Sequence, residues 1–164
     1  MSEAIKFEDF LMEVDSACLT IVLGLHEYLM EQECAVKIES AKSGYVVSYS
    51  HSKTKKVIAN YVFRKKGLII RIYGDHVSNY MDFVNTLPES MVREIEKAPV
   101  CKRLIDPTKC NSRCPMGYVF DLKGTEYKKC RYNSFMFLVN DESGPFIKTF
   151  LAHELAERSL KKAE

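Results

Sequence analysis

Residues 57–73, Val57-Ile58-Ala59-Asn60-Tyr61-Val62-Phe63-Arg64-Lys65-Lys66-Gly67-Leu68-Ile69-Ile70-Arg71-Ile72-Tyr73, decide the fold. Two runs rich in β-branched and aromatic side chains flank Lys65-Lys66-Gly67, and such residues favour a pleated, half-buried surface. A connection this short with a glycine closes an antiparallel hairpin, because parallel strands need a long crossover. The same grammar holds upstream. Val36 to Glu39 and Tyr45 to His51 read as strands on either side of Lys42-Ser43-Gly44. Alternation places Tyr45, Val47, Tyr49 and His51 on one side of their strand, and Val57, Ala59, Tyr61 and Phe63 on one side of the next.

Around this sheet the period changes from two to that of a helix. Phe7, Leu11, Val14, Cys18, Ile21, Leu25 and Leu29 recur at steps of three and four, with Asp15-Ser16 as an N-cap dividing a short helix from a longer one. Ser78 to Lys97 is helical and divided at Pro88, which suits a helix first turn; Pro99 closes the segment. Gly117 to Lys123 and Thr125 to Val139 form a second hairpin across Lys123-Gly124. Phe146, Phe150, His153 or Leu155, and Leu160 mark an amphipathic C-terminal helix. The expected fold is α+β: one domain over 1–164, a mostly antiparallel sheet of five to six strands, and N-terminal, central and C-terminal helices packed on it.

The 164 residues are 46% hydrophobic, so a core can form without disulfides. No segment approaches the ~20 apolar residues of a membrane span, and Met1 to Phe10 has neither the basic stretch nor the apolar run of a secretory signal, so a cytoplasmic protein with no membrane partner is expected. The net charge of +2 conceals asymmetry: residues 1–40 hold nine acids and two bases, residues 97–131 three acids and nine bases.

The chemistry concentrates in Cys101, Cys110, Cys114 and Cys130, four of six cysteines, within a 101–130 subregion. The Cys110/Cys114 spacing suits one chelating turn, its interior Asn-Ser-Arg flanked by Pro107 and Pro115. Cys101 follows a helix and Cys130 lies in a strand, and a folded-back hairpin brings both beside that turn. Thiolates select zinc over harder ions, and four of them with no water make a closed, structural site. Lys102, Arg103, Lys109, Arg113, Lys128, Lys129 and Arg131 adjoin the four cysteines and would offset the charge of such a centre. Four reduced core thiols, or a redox pair at Cys110 and Cys114, would leave the same letters.

Other motifs fall short. His153-Glu154-Leu155-Ala156-Glu157 lacks the second histidine of a zinc-protease helix and reads as surface helix; Asp75-His76 reads as a loop. No glycine-rich phosphate loop, nucleophile elbow or dinucleotide fingerprint occurs. The segment Lys55 to Tyr73, followed by the Tyr80–Lys97 helices, resembles small bacterial α+β proteins of the YjbR/MmcQ-like kind, through the charged hairpin Tyr61 to Arg71. The resemblance implies the sheet and helices but no catalytic residue, since those proteins mostly lack an assigned activity.

The leading functional reading is a cytoplasmic binding or interaction module with a structural four-cysteine zinc site, rather than an enzyme. Its ligand is an unidentified small molecule or protein. A second reading is nucleic-acid binding through Lys53, Lys55, Lys56, Arg64, Lys65, Lys66 and Arg71 with neighbouring tyrosines for stacking. A third is a small-molecule enzyme with a sheet-lined pocket around Tyr49, His51 and Tyr61.

Overall fold

The computed structural model describes residues 5–110 and 113–163. Strands β1 (Ala35–Ala41), β2 (Gly44–Ser50), β3 (Val57–Arg64) and β4 (Gly67–Ile72) follow one another as an antiparallel meander, and β7 (Met136–Leu138) adds beside β4. The deciding hairpin runs in register from Arg64 opposite Gly67 to Ala59 opposite Ile72. The α+β class and the three helical regions stand as the pattern indicates. Helix α1 (Phe7–Leu11) stops short of α2 (Ser16–Glu31), and the Asp15 carboxylate caps α2 by accepting from the Ala17 amide. In the centre, a 3-10 turn (Val77–Asn79) leads into α3 (Met81–Val84) and then α4 (Glu89–Lys97), entered at Pro88.

The second hairpin differs from expectation. Strands β5 (Tyr118–Leu122) and β6 (Thr125–Lys129) form a separate two-stranded sheet, turned at Lys123 and Gly124, both with positive φ. The run to Val139 does not continue that hairpin: after Lys129 the chain leaves it, and Met136–Leu138 crosses to the main sheet. Two strands with one buried face are marginal alone. Their inner residues Tyr118 and Phe120 lie against Phe135, at ring separations of 5.6 and 5.5 Å, and Phe135 packs on Phe150 at 5.1 Å.

Helix α6 (Gly144–Ala163) covers the main sheet. Its buried face comprises Ile147, Phe150, Leu151, Glu154, Leu155 and Arg158, the spacing of one helical stripe. Leu160 is not on it, at 62% exposure. Nor is Glu154 a surface residue: it is 0% exposed and Arg158 only 2%, because partners from two distant segments, 56–57 and 73–80, meet them.

The sheet-lined pocket is overturned. Tyr49 and Tyr61 are fully buried, stacked edge to face at 6.1 Å, with Phe10 on Tyr61 at 5.5 Å; these rings fill the core. His51 is buried and turns to its own loop, accepting from the Thr54 amide. His26 also faces this cluster: its Nδ1 pairs with the Tyr49 hydroxyl at 2.8 Å and its ring stacks on Phe7.

Candidate functional site

Where β4 ends, Asp75 and His76 diverge toward different partners, and α6 joins those partners. Glu154 and Arg158 are one helical turn apart on the buried stripe, with Arg158 Nε donating to Glu154 Oε2 at 2.9 Å. Arg158 Nη1 donates to the carbonyls of Lys56 and Val57, and Nη2 donates to the Tyr73 carbonyl and to Asp75 Oδ2. A buried guanidinium with this many acceptors joins the β2–β3 loop, the end of β4 and α6.

Glu154 is equally committed. Its Oε1 accepts from the His76 amide at 3.0 Å and from the Tyr80 hydroxyl, and its Oε2 lies 2.8 Å from His76 Nδ1. A carboxylate on Nδ1 fixes the imidazole orientation and leaves Nε2 for other work. Asp75 accepts from Arg131, from Arg158 and, at 2.9 Å, from the Tyr118 hydroxyl. The Arg131 guanidinium lies over the Tyr73 ring at 4.9 Å. Burial, and then the Asp75 charge, holds the Tyr118 hydroxyl far above the usual tyrosine range; burial and then Glu154 do the same to Tyr80. Both phenols are therefore donors throughout the physiological range.

This network borders a cavity of ≈ 390 Å³ lined by residues including Lys56, His76, Gly117, Tyr118 and Arg131. That is within the size range of small-molecule sites. In the sequence, Asp75-His76 and Glu154 are each visible but unconnected, because 78 positions separate His76 from Glu154. The signal that could have joined them is two opposite charges four apart on a helix whose other periodic residues are apolar.

The four cysteines border a second cavity, of ≈ 340 Å³, whose lining includes Cys101, Cys110, Cys114 and Cys130 together with Arg131. Val100 forms an antiparallel bridge with Lys129, so the Cys101 amide donates to Lys128 and the Cys130 amide to Pro99. That register sets Cys101 and Cys130 diagonally on one face. Both sulfurs accept hydrogen bonds, Cys101 Sγ from the Gly117 amide at 3.3 Å and Cys130 Sγ from Asn133 Nδ2 at 3.4 Å. Cys110 is exposed and Cys114 half-buried; Asn111 and Ser112 between them lie outside the described residues. As placed, no group of three or more His, Cys, Asp or Glu side chains among the described residues is arranged to hold a metal ion. Helix α5 (Lys102–Ile105) starts at Cys101, and its Arg103 reaches the Cys114 carbonyl while leaving a buried Nε without an acceptor among the described residues. Lys129 does not face the sulfurs: its ammonium donates to the carbonyls of Glu96 and Ala98, both at 2.7 Å. Cys18 and Cys34 stand apart, their thiols pushed up by burial.

The basic residues of the nucleic-acid reading divide. Lys53, Lys55 and Lys56 precede β3 while Arg64, Lys65 and Lys66 follow Phe63 at its other end, and Arg71 is committed to Asn60 and the Tyr132 carbonyl. Tyr49, Tyr61 and Tyr73 are buried. No helix among the described residues is long and apolar enough to cross a membrane. Compared with protein-family models, curated proteins and solved structures, the chain has no significant match.

Proposed function

We propose that the chain is a cytoplasmic small-molecule-binding module, not an enzyme, whose 101–130 segment is fastened by one structural zinc ion on Cys101, Cys110, Cys114 and Cys130. The observation that carries it is the convergence of these four cysteines on one cavity, although 29 positions separate the first from the last. The N–H groups donated to Cys101 and Cys130 are the kind of outer contact that orients ligating sulfur, and Arg103 Nε, without an acceptor among the described residues, favours negative charge nearby. Ligation requires the Cys110 and Cys114 sulfurs to stand nearer those of Cys101 and Cys130 than they are placed. All six cysteines are free, in keeping with a reducing compartment.

The zinc site has a purpose in binding. Pro115 to Tyr118 and Arg131, which follow Cys114 and Cys130 directly, form one wall of the cavity beside His76. Elemental analysis of protein purified without chelator is expected to find one zinc per chain, lost in Cys114→Ser with a melting temperature roughly 5–10 °C lower. Metal-free protein in which Cys101, Cys110, Cys114 and Cys130 all react at once with a thiol reagent would refute the zinc.

A further inference from the structure

We infer that the cavity bordered by Lys56, His76, Tyr118 and Arg131 binds a small molecule through an oxyanion, which Lys56 and Arg131 hold by charge and His76 contacts through Nε2. The inference rests on the ligand-binding reading above and names its ligand class. Over the cavity lining the charges do not cancel. The charged and titratable groups around His76 are His153, Glu154, Glu157 and Arg158 from α6, Asp75 at the end of β4, Arg131 after β6, Lys56 before β3, Tyr80 before α3 and Tyr118 on β5. Glu157 stands outside the lining and accepts from Asn79, and the His153 ring stacks on Tyr80. Asp75 and Glu154 are matched by the two guanidiniums, and both tyrosine hydroxyls donate to those carboxylates. Lys56 lines the cavity at an exposed position with its carbonyl given to Arg158, and its ammonium has no ion pair among the described residues. Arg131 gives two N–H groups to Asp75, and its others have no acceptor among the described residues. Glu154 occupies His76 Nδ1, so Nε2 is the ring nitrogen available to a ligand.

A cavity with a surplus of cationic donors and anchored carboxylates selects an anion, since an anion there gains charge-assisted bonds while a cation meets uncompensated charge. Planar guanidinium suits carboxylate and tetrahedral oxyanions alike. His76 fixes the direction of approach: with Glu154 on Nδ1, Nε2 is the ring nitrogen that meets the ligand.

Inorganic sulfate and acetate are the probes. In protein with isotopically labelled histidine, sulfate is expected to move the His76 Cε1–H resonance saturably. Lys56→Met, at an exposed position, is expected to weaken binding about tenfold. His76→Asn, read by calorimetry because it lacks the reporting ring, keeps an N–H for Glu154 but removes Nε2, and is expected to weaken sulfate binding about fivefold or more. Tighter binding of acetate than of sulfate assigns the ligand to carboxylic acids, and the reverse assigns it to tetrahedral oxyanions. No saturable response in wild type, or equal sulfate affinity by calorimetry in wild type and both variants, overturns the inference. Zinc content measured on the same samples separates the readings: sulfate binding without zinc refutes the metal alone, and zinc without sulfate binding refutes the oxyanion alone.

Discussion

Arg158 shows how much of this molecule depends on one side chain. A buried charge is tolerated only when paired and hydrogen-bonded, and Arg158 meets two carboxylates and three backbone carbonyls. Removing it exposes five acceptors to a dry interior and leaves Asp75 and Glu154 with less cationic compensation. Arg158→Met is expected to cost about 3–5 kcal/mol, read from the urea midpoint at neutral pH. Arg158→Lys should recover little of it, since an ammonium is a point donor that cannot span acceptors on three segments. A loss below about 1 kcal/mol would show the network to be water-bridged rather than dry. Sequence alone does not reveal this residue. Glu and Arg at helical spacing ordinarily mark a solvated face, and only the fold brings the Tyr73 and Lys56 carbonyls to them.

At the scale of elements, the approach of the 113–117 segment to the small sheet turns on Gly117. A Cβ there would fall 2.0 Å from the Lys129 carbonyl oxygen and 2.8 Å from Cys101 Cβ, so backbone would have to move. Gly117→Ala is expected to destabilise by roughly 1–3 kcal/mol and to lower zinc content, because the displaced amide is the one donated to Cys101 Sγ. Unchanged stability and metal would mean that the loop reaches Cys101 by another path. Elements are legible in proportion to their length and to how fully one face is buried. The meander from β1 to β4 follows from alternation, and the Asp15 cap from its residue type. Strand β7 does not: three residues carry no period, and its pairing with β4 is set by Phe135 and Phe137 in the core rather than by a turn. The candidate site is legible only where chemistry is local, as in the cysteine spacing, and illegible where it is long-range, as between His76 and Glu154.

For the whole molecule, the two sheets meet through few backbone links. Outside the aromatic contact at Phe135, the links of the small sheet among the described residues include the Val100–Lys129 bridge, the Lys129 ammonium, the Lys123 amide on Asn85 and the hydroxyl of Tyr118 on Asp75. A zinc ion on Cys101, Cys110, Cys114 and Cys130 would add a closed loop across this joint, and loops closed by a clip gain most when the joined positions are far apart in sequence. Tyr118, Phe120 and Leu122 belong to the same buried cluster as the meander and α6, but most of that cluster lies outside the small sheet. Chelation should therefore act locally: amides of Tyr118–Leu122 and Thr125–Lys129 are expected to exchange with solvent about tenfold faster or more, while those of Ala59–Tyr61 and Ile69–Ile72 keep their protection. Uniform acceleration across both sheets would instead make the metal a determinant of global stability. No acceleration anywhere would remove the staple, and with it the reason for the cavity wall at Pro115–Tyr118 to hold its shape.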